Sequence, residues 1–180
     1  MNSGDQVLFE TDRLRVRRIG DADVDALFAV YGDAEAMIWV DEGKPIDRDG
    51  CIRWVEVTRR NYATRGYGMS ALQDRASGRV IGFCGIVHPG NQPEAEIKYA
   101  LLRSHWGQGL ATEAVRGMLA YGLRELGLRE VIATTSPENA ASHRVLLKAG
   151  MQESWMRRNE DGSLTRVFAW RGGEAENAGS

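Results

Sequence analysis

The sequence contains few cysteines and no long apolar run, and each shortage excludes a class of protein. Two cysteines, Cys51 and Cys84, in 180 residues are too few for a disulfide scaffold and fit a reducing compartment. No stretch approaches the ~20 apolar residues that a membrane-spanning helix requires. The start of the chain also lacks the apolar segment of a secretory signal. We therefore expect a cytoplasmic globular protein with no membrane partner.

Metal ions and nucleic acids are disfavoured as partners on similar grounds. No CxxC, HxxxH or HExxH pattern is present, so we expect no metal site. The formal net charge is −2, from 23 basic and 25 acidic side chains. A nucleic-acid-binding protein usually has a strongly basic surface instead. We therefore expect no direct contact with nucleic acid.

The length of the chain fits one domain with a conventional apolar core. We expect that domain to cover residues 1–170. Residues 171–180 are rich in Gly, Ala and Glu, and we expect a flexible tail there.

The apolar pattern predicts strands and helices in an order typical of an α/β fold. Alternating or short β-branched runs predict strands, and apolar residues at intervals of three and four predict helices. The order is strand, two helices, three strands, helix, strand, helix and two strands, which favours one mixed sheet with helices on both faces. The predicted strands are 7–18, 69–73, 80–87, 95–102, 130–135, 151–158 and 163–170. The last two predicted helices are 110–126 and 139–149.

A glycine-rich turn connects the strand that begins near Glu96 to the long helix at 110–126. Gly107 and Gly109 allow the backbone N–H groups at the helix start to approach an anion closely, and the helix dipole favours negative charge there. We therefore predict a phosphate site, most simply for a pyrophosphate. The GxxxxGK of a P-loop is absent, and Thr112 stands where a dinucleotide-binding turn needs Gly or Ala. Taken alone, the two glycines are also compatible with a purely structural turn.

Two sequence stretches resemble a known enzyme family. WGQGLA at residues 106–111 resembles the pyrophosphate-binding motif of the GNAT superfamily of acyl-CoA-dependent N-acetyltransferases. Trp106 departs from the Gln or Arg at the first position, as in the branch that includes the ribosomal-protein N-terminal acetyltransferases RimJ and RimL. Residues 139–151 resemble that branch's NxxSxxVLxKxGF helix, with Met151 in place of Phe.

The opening stretch, ETDRLRVR at residues 10–17, resembles the first strand of the same branch, so the resemblance covers about residues 8 to 170. It implies a single GNAT-like domain whose sheet is mixed, mostly antiparallel and built of about six to seven strands. It also implies acetyl-CoA as co-substrate and no metal. Backbone groups of the turn would bind the pyrophosphate, those of the preceding strand would pair with the pantetheine arm, and Asn139 would reach that arm. The implied cofactor-binding residues are Tyr99, Ala100, Leu101, Gly107, Gln108, Gly109, Leu110, Ala111, Thr112 and Asn139.

The resemblance also points to two catalytic candidates, Glu96 and Ser142. An amine with a pKa near ~10 must lose a proton before it attacks a thioester, and some family members use a carboxylate on this strand, so Glu96 is the candidate base. Many members protonate the leaving thiolate with a Tyr, but Leu146 stands at that position here, and Ser142 resembles the alternative donor. Glu96 could instead be a strand carboxylate in an ion pair, and Ser142 a helix-capping side chain.

The acceptor is left open by the sequence. A protein N-terminus and a small amine are both compatible with it, as are a monomer and a homodimer. Four acidic residues, Asp33, Glu35, Asp41 and Glu42, lie where the family shapes its acceptor site and would suit a cationic amine. Four aromatic residues either line an acceptor pocket or belong to the core: Trp39, Tyr62, Tyr67 and Trp155. A module that binds acyl-CoA without catalysis is the alternative function, and a domain for an unrelated phosphate ligand is a third reading.

Overall fold

Eight strands form one sheet, which is more than the predicted six to seven. In this computed structural model, which describes residues 6–40 and 43–173, the predicted strand at 7–18 is two strands joined by a tight turn. The Thr11 N–H donates to the Leu14 carbonyl (2.8 Å), and the Leu14 N–H donates to the Thr11 hydroxyl (3.1 Å). The turn contains neither Gly nor Pro, so the sequence pattern carries no strong turn signal there.

The other strands and the last two helices agree with their predicted bounds to within a few residues. The strands are β1 (Val7–Glu10), β2 (Leu14–Arg17), β3 (Met69–Asp74), β4 (Val80–Val87), β5 (Glu96–Leu101), β6 (Glu130–Thr135), β7 (Gln152–Arg158) and β8 (Leu164–Arg171). The helices are α1 (Val24–Tyr31), α2 (Arg48–Arg65), α3 (Leu110–Leu126) and α4 (Ala140–Lys148). β8 extends to Arg171, the first residue of the predicted tail, and residues 174–180 of that prediction lie outside the described residues.

The strand order across the sheet is β1-β2-β3-β4-β5-β6-β8-β7. All neighbours are antiparallel except β5 and β6, which are parallel. The prediction of a mixed, mostly antiparallel sheet is therefore confirmed. No helix within residues 6–40 and 43–173 has the length and apolar character needed to cross a bilayer.

Apolar side chains cover both faces of the sheet, because successive side chains of a strand point to opposite faces. In β4, Cys84 and Ile86 pack in one core cluster with Leu119 of α3 and Leu146 of α4. Phe83 points to the other face, where it belongs to a second cluster together with side chains of α1 and α2. Helices therefore lie on both faces, as the sequence predicts.

The sheet opens between its two parallel strands. β5 and β6 share a single residue pair, Glu96 with Ile132, where the Ile132 N–H donates to the Ala95 carbonyl (2.8 Å). On the other side of β5, the Leu102 N–H donates to the Ile81 carbonyl of β4 (2.9 Å). Because backbone groups alternate in direction along a strand, those of Tyr99 point away from β4 and into the gap. This gap positions the site.

Candidate functional site

A cavity of about 1070 Å³ occupies the gap and extends over both of its ends. It is lined by β5, the turn before α3, the end of β6, α4, the loop after α1 and the β7–β8 hairpin. Every predicted catalytic and cofactor-binding residue except Gln108 lines it. The Gln108 side chain instead donates to the Ser104 carbonyl (3.2 Å). Residues predicted from separate motifs are therefore neighbours in one place.

The turn before α3 has the backbone geometry of an anion site. Gly107 and Gly109 have φ angles of 74° and 80°, in the left-handed region that favours glycine. Gly109 is the N-cap of α3 and provides no side chain to cap the first N–H groups of the helix. A Cβ built on Gly107 would meet no atom within 4 Å, so the turn is open on that side. Unused N–H groups and the helix dipole together attract an anion here.

Arg13, on the turn between β1 and β2, holds this anion site in place. Its Nη1 donates to the Gln108 carbonyl (2.9 Å), and its Nε donates to Glu113 in the first turn of α3 (2.9 Å). The Thr11 hydroxyl donates to the same carboxylate (2.6 Å). Burial raises the pKa of Glu113, but the hydrogen bonds from Thr11 and Arg13 outweigh burial and lower it overall. Sequence reasoning missed this contact, since about 100 positions separate the partners.

Two basic side chains of α4 add positive charge to the cavity. Arg144 and Lys148 both line it and are four residues apart, which places them on the same face of the helix. At the end of β5, the Trp106 indole N–H donates to the Leu101 carbonyl (3.0 Å), so that carbonyl is already engaged. The cavity near the turn therefore offers N–H donors and cations, which suits phosphate groups.

Glu96 lies at the base of the gap and is only 4% exposed. Its two oxygens accept hydrogen bonds from neutral groups, the Thr134 hydroxyl (3.0 Å) and the Gln92 amide (3.3 Å). Ala100, four residues further along β5, packs on the α1–α2 face of the sheet, and alternation along the strand places Glu96 on the same face. Neither of these donors is the Lys or Arg side chain that the alternative for Glu96, an ion pair, would require. A buried carboxylate facing a cavity is a candidate proton acceptor.

Ser142 lies on the opposite side of the gap, and its hydroxyl does not cap α4. Asn139 is the N-cap, and its Oδ1 accepts from the Ser142 N–H (3.2 Å). The Ser142 hydroxyl forms a 2.6 Å hydrogen bond with the Tyr99 hydroxyl. Burial raises the pKa of Tyr99 to about 12. The sequence therefore locates both residues in the site but does not predict that their side chains meet.

The two described acidic residues of the loop after α1, Asp33 and Glu35, are paired with a cation. Arg103 donates to both Asp33 and Glu35, and this guanidinium lowers the pKa of Asp33. The negative charges of these two carboxylates are therefore opposed by a cation within the same structure. Asp41 and Glu42 lie outside the described residues.

Among the predicted aromatic residues, Trp39 lines the cavity and is 50% exposed. Tyr62, Tyr67 and Trp155 do not line this cavity. The Tyr62 hydroxyl donates to the Met69 carbonyl, and the Tyr67 hydroxyl lies 2.6 Å from His88 Nε2. No group of three or more His, Cys, Asp or Glu side chains suited to a metal ion is found within the described part of the chain.

Comparison with known proteins connects this geometry to a family. Residues 13–152 match the family described as Acetyltransferase (GNAT) domain, and this range includes the glycine-rich turn and all of α4. The protein YkkB of Bacillus subtilis (strain 168) is 38% identical over 149 residues, which is 80% of this chain and 84% of YkkB.

Solved structures show the same fold at lower identity. RimL, a ribosomal L7/L12 alpha-N-protein acetyltransferase in complex with coenzyme A, superposes with a TM-score of 0.78 at 18% identity, covering 92% of this chain and 98% of RimL. AAC(6')-Ib, in complex with Parmomycin and AcetylCoA, superposes with a TM-score of 0.77 at 18% identity, covering 94% of this chain and 99% of that one. At these identities the likeness concerns the fold alone.

Proposed function

This chain belongs to the GNAT family of acetyltransferases, and we propose that it transfers an acetyl group from acetyl-CoA to a primary amine by direct attack. The observation that carries this proposal is that one cavity joins the glycine-rich turn, the open strand pair and the two candidate catalytic side chains, Glu96 and Ser142. A finer assignment to the RimJ/RimL-type branch is part of the proposal. It is supported by the WGQGLATEA stretch and by the sequence of α4.

Acetyl-CoA would supply an activated thioester, and the donor end of the cavity fits its parts. The left-handed turn at Gly107 and Gly109 offers N–H donors for the pyrophosphate, and Arg144 and Lys148 add positive charge. The backbone of Tyr99 points into the gap, where it can pair with amide groups of the pantetheine arm as a further strand would. RimL is described in complex with coenzyme A, which supports the same co-substrate here.

The two catalytic candidates, Glu96 and Ser142, lie on opposite sides of the gap between β5 and β6. Glu96 would remove a proton from the attacking amine, directly or through water, because an ordinary amine with a pKa near ~10 is mostly protonated at neutral pH. Ser142 would donate a hydrogen bond to the leaving sulfur. The Leu101 N–H, which alternation also directs into the gap, is a candidate donor to the carbonyl oxygen as negative charge develops on it.

For the acceptor we propose a chemical class, a primary amine, rather than one compound. A protein N-terminus and a small amine are both supported by relatives of the same fold, since RimL is described as a protein N-acetyltransferase and AAC(6')-Ib is described with Parmomycin. The charge balance at Arg103 argues against recognition of a polycation by Asp33 and Glu35. We place the reaction in the cytoplasm, to which the two buried free cysteines are suited.

A panel of amines tests the proposal. Free CoA thiol release would be followed with acetyl-CoA and either peptides with free N-termini, the same peptides with blocked N-termini, or small primary amines. We expect release with at least one free amine and none with the blocked peptides. A non-catalytic acyl-CoA-binding module, the alternative, would bind acetyl-CoA and release no thiol above the spontaneous rate with any acceptor.

A further inference from the structure

We propose that the Tyr99 phenol is a positioning residue for the leaving thiolate, on which it acts through the hydroxyl of Ser142. This inference rests on the proposed acetyl transfer and gives a side-chain role to a residue for which the family resemblance implies backbone contacts alone. The observation behind it is the 2.6 Å hydrogen bond between Tyr99 Oη and Ser142 Oγ, from residues 43 positions apart that both line the cavity.

Counting hydrogens shows what this pair can offer to a bound molecule. Each hydroxyl has one hydrogen to donate and lone pairs to accept. One shared hydrogen bond uses one of the two hydrogens, so the other remains for a third group. Phenol is the stronger acid, which favours Tyr99 as the donor within the pair and leaves the Ser142 hydrogen for the cavity. A hydroxyl that accepts one hydrogen bond also becomes a better donor of the next.

The start of α4 fixes the direction of the Ser142 side chain. Asn139 accepts the Ser142 N–H (3.2 Å), so capping of the helix makes no demand on the serine hydroxyl. The Tyr99 ring packs against the core cluster on the α3–α4 face of the sheet, which holds its hydroxyl against α4. Without the phenol, the serine hydroxyl could rotate freely among its rotamers.

Acidity decides between positioning and proton transfer. Burial raises the pKa of Tyr99 to about 12, whereas an ordinary thiol has a pKa near ~8.5. Tyr99 therefore keeps its proton when a thiolate forms beside it, and an aliphatic hydroxyl such as Ser142 is a weaker acid still. When the C–S bond breaks, its electron pair stays on sulfur, and Ser142 stabilises that anion by a hydrogen bond. The thiolate then takes its proton from water, while the amine nitrogen that has bonded to the acetyl carbon gives up one proton to Glu96, which returns it to water.

The test measures the thiol pKa of bound CoA, which does not require the acceptor to be known. Thiolate absorbance would be followed against pH with the protein saturated in CoA, and protein with desulfo-CoA would serve as the blank. We expect the bound thiol to titrate below free CoA. Tyr99→Phe and Ser142→Ala should each raise this pKa by ~1 unit, the worth of about one hydrogen bond to an ionised group. The double variant should add little, because both changes remove the same donor.

The matched control is Tyr67→Phe, which removes another tyrosine hydroxyl that has a hydrogen bond but lies outside this cavity. We expect this variant to leave the thiol pKa of bound CoA at the wild-type value. Acetyl-CoA affinity should stay near the wild-type value in Tyr99→Phe, because the contacts proposed for the pantetheine arm are made by the Tyr99 backbone. Such a result would show that the site is intact. A bound-thiol pKa in Tyr99→Phe equal to that of the wild type would overturn the inference and leave the proposed function standing. Failure of the wild-type protein to bind CoA or acetyl-CoA would overturn both.

Discussion

The two ends of the cavity, which we propose bind the acyl donor and the amine acceptor, are built from the chain in different ways. The donor end is formed by one continuous strand–turn–helix segment, residues 96–112, with α4 beside it. The acceptor end combines the loop after α1, the end of β6 and the β7–β8 hairpin, which are far apart in sequence. Phosphate groups can be bound by backbone geometry that a short stretch specifies. Recognition of an amine requires side chains that only the complete fold brings together.

The sharpest test of this contrast is a charge placed at the donor end. Gly109→Glu puts an acidic side chain at the N-cap of α3, where the backbone should meet phosphate. We expect acetyl-CoA affinity to fall by ~1000-fold, about 4 kcal/mol, through like-charge repulsion and loss of N–H contacts worth ~1.5–3 kcal/mol each. Isothermal titration calorimetry with acetyl-CoA measures this directly.

The other end of the same helix provides the matched control. Gly127 is the C-cap of α3 and also has a positive φ, 66°, so Gly127→Glu introduces the same side chain with a similar backbone strain away from the cavity. This variant should lose stability yet bind acetyl-CoA as the wild type does. Equal binding losses in both variants would mean that strain in α3, rather than the anion site, controls affinity.

A change at the base of the gap should affect turnover instead of donor binding. Glu96→Gln retains the size of a side chain that accepts from Thr134 and Gln92 but removes its basicity. We expect kcat to fall by ~100-fold at neutral pH, with less loss at high pH, where the amine deprotonates unaided. Steady-state rates against pH with a reactive amine measure the effect. Glu94→Gln, an exposed neighbour, is the control, and a Glu96→Gln pH–rate profile like that of the wild type would exclude Glu96 as the base.

Removing Arg13, which binds the glycine-rich turn, should have a smaller effect, confined to the binding of acetyl-CoA. Arg13→Gln breaks the hydrogen bonds to Glu113 and to the Gln108 carbonyl. We expect KM for acetyl-CoA to rise by ~10-fold, about 1.4 kcal/mol, with kcat nearly unchanged. Arg15→Gln, which breaks an exposed ion pair with Glu10 on the neighbouring strand, should leave both constants alone. A fall in kcat without a rise in KM for Arg13→Gln would contradict the role given to Arg13.

The smallest effect concerns acid stability. Hydrogen bonds lower the pKa of Glu113 in the folded protein below its usual 4.5, so its contribution is present above that pH and is lost as pH falls through the lowered pKa. Urea unfolding of Glu113→Gln, from neutral pH to below 4.5, should show a free energy of unfolding that falls less steeply than in the wild type, by ~1 kcal/mol or less. Glu56→Gln, an exposed carboxyl of α2, should follow the wild type. A Glu113→Gln slope as steep as that of the wild type would remove Glu113 from the acid-sensitive contacts.

The same contrast explains how much the sequence could predict. The bounds of α3, Leu110–Leu126, are those expected from its apolar stripe, and the turn with Gly107 and Gly109 is readable because its backbone conformation depends on a few adjacent residues. The break between β1 and β2 was missed because Thr, Asp and Arg are weak turn signals.

Contacts between distant residues could not be predicted in the same way. The hydrogen bond of Tyr99 with Ser142 and the two bonds that Arg103 gives to Asp33 and Glu35 depend on the three-dimensional packing of separate elements. Asp33 and Glu35 are acidic residues that predict affinity for a cationic amine, but Arg103, which follows β5, opposes their charge. The type of a residue indicates which chemistry its side chain can perform, whereas the charges around that side chain depend on the folded structure.

Thermal unfolding of the wild-type protein with acetyl-CoA, ATP or NAD tests the donor end most directly. A ligand at ~100 times its Kd adds about 2.7 kcal/mol to the free energy of unfolding. We predict a clear rise in Tm with acetyl-CoA and little or none with ATP or NAD. An unchanged Tm with acetyl-CoA, or an equal rise with all three, would contradict the assignment of the Gly107–Thr112 turn as the site for the acetyl-CoA pyrophosphate.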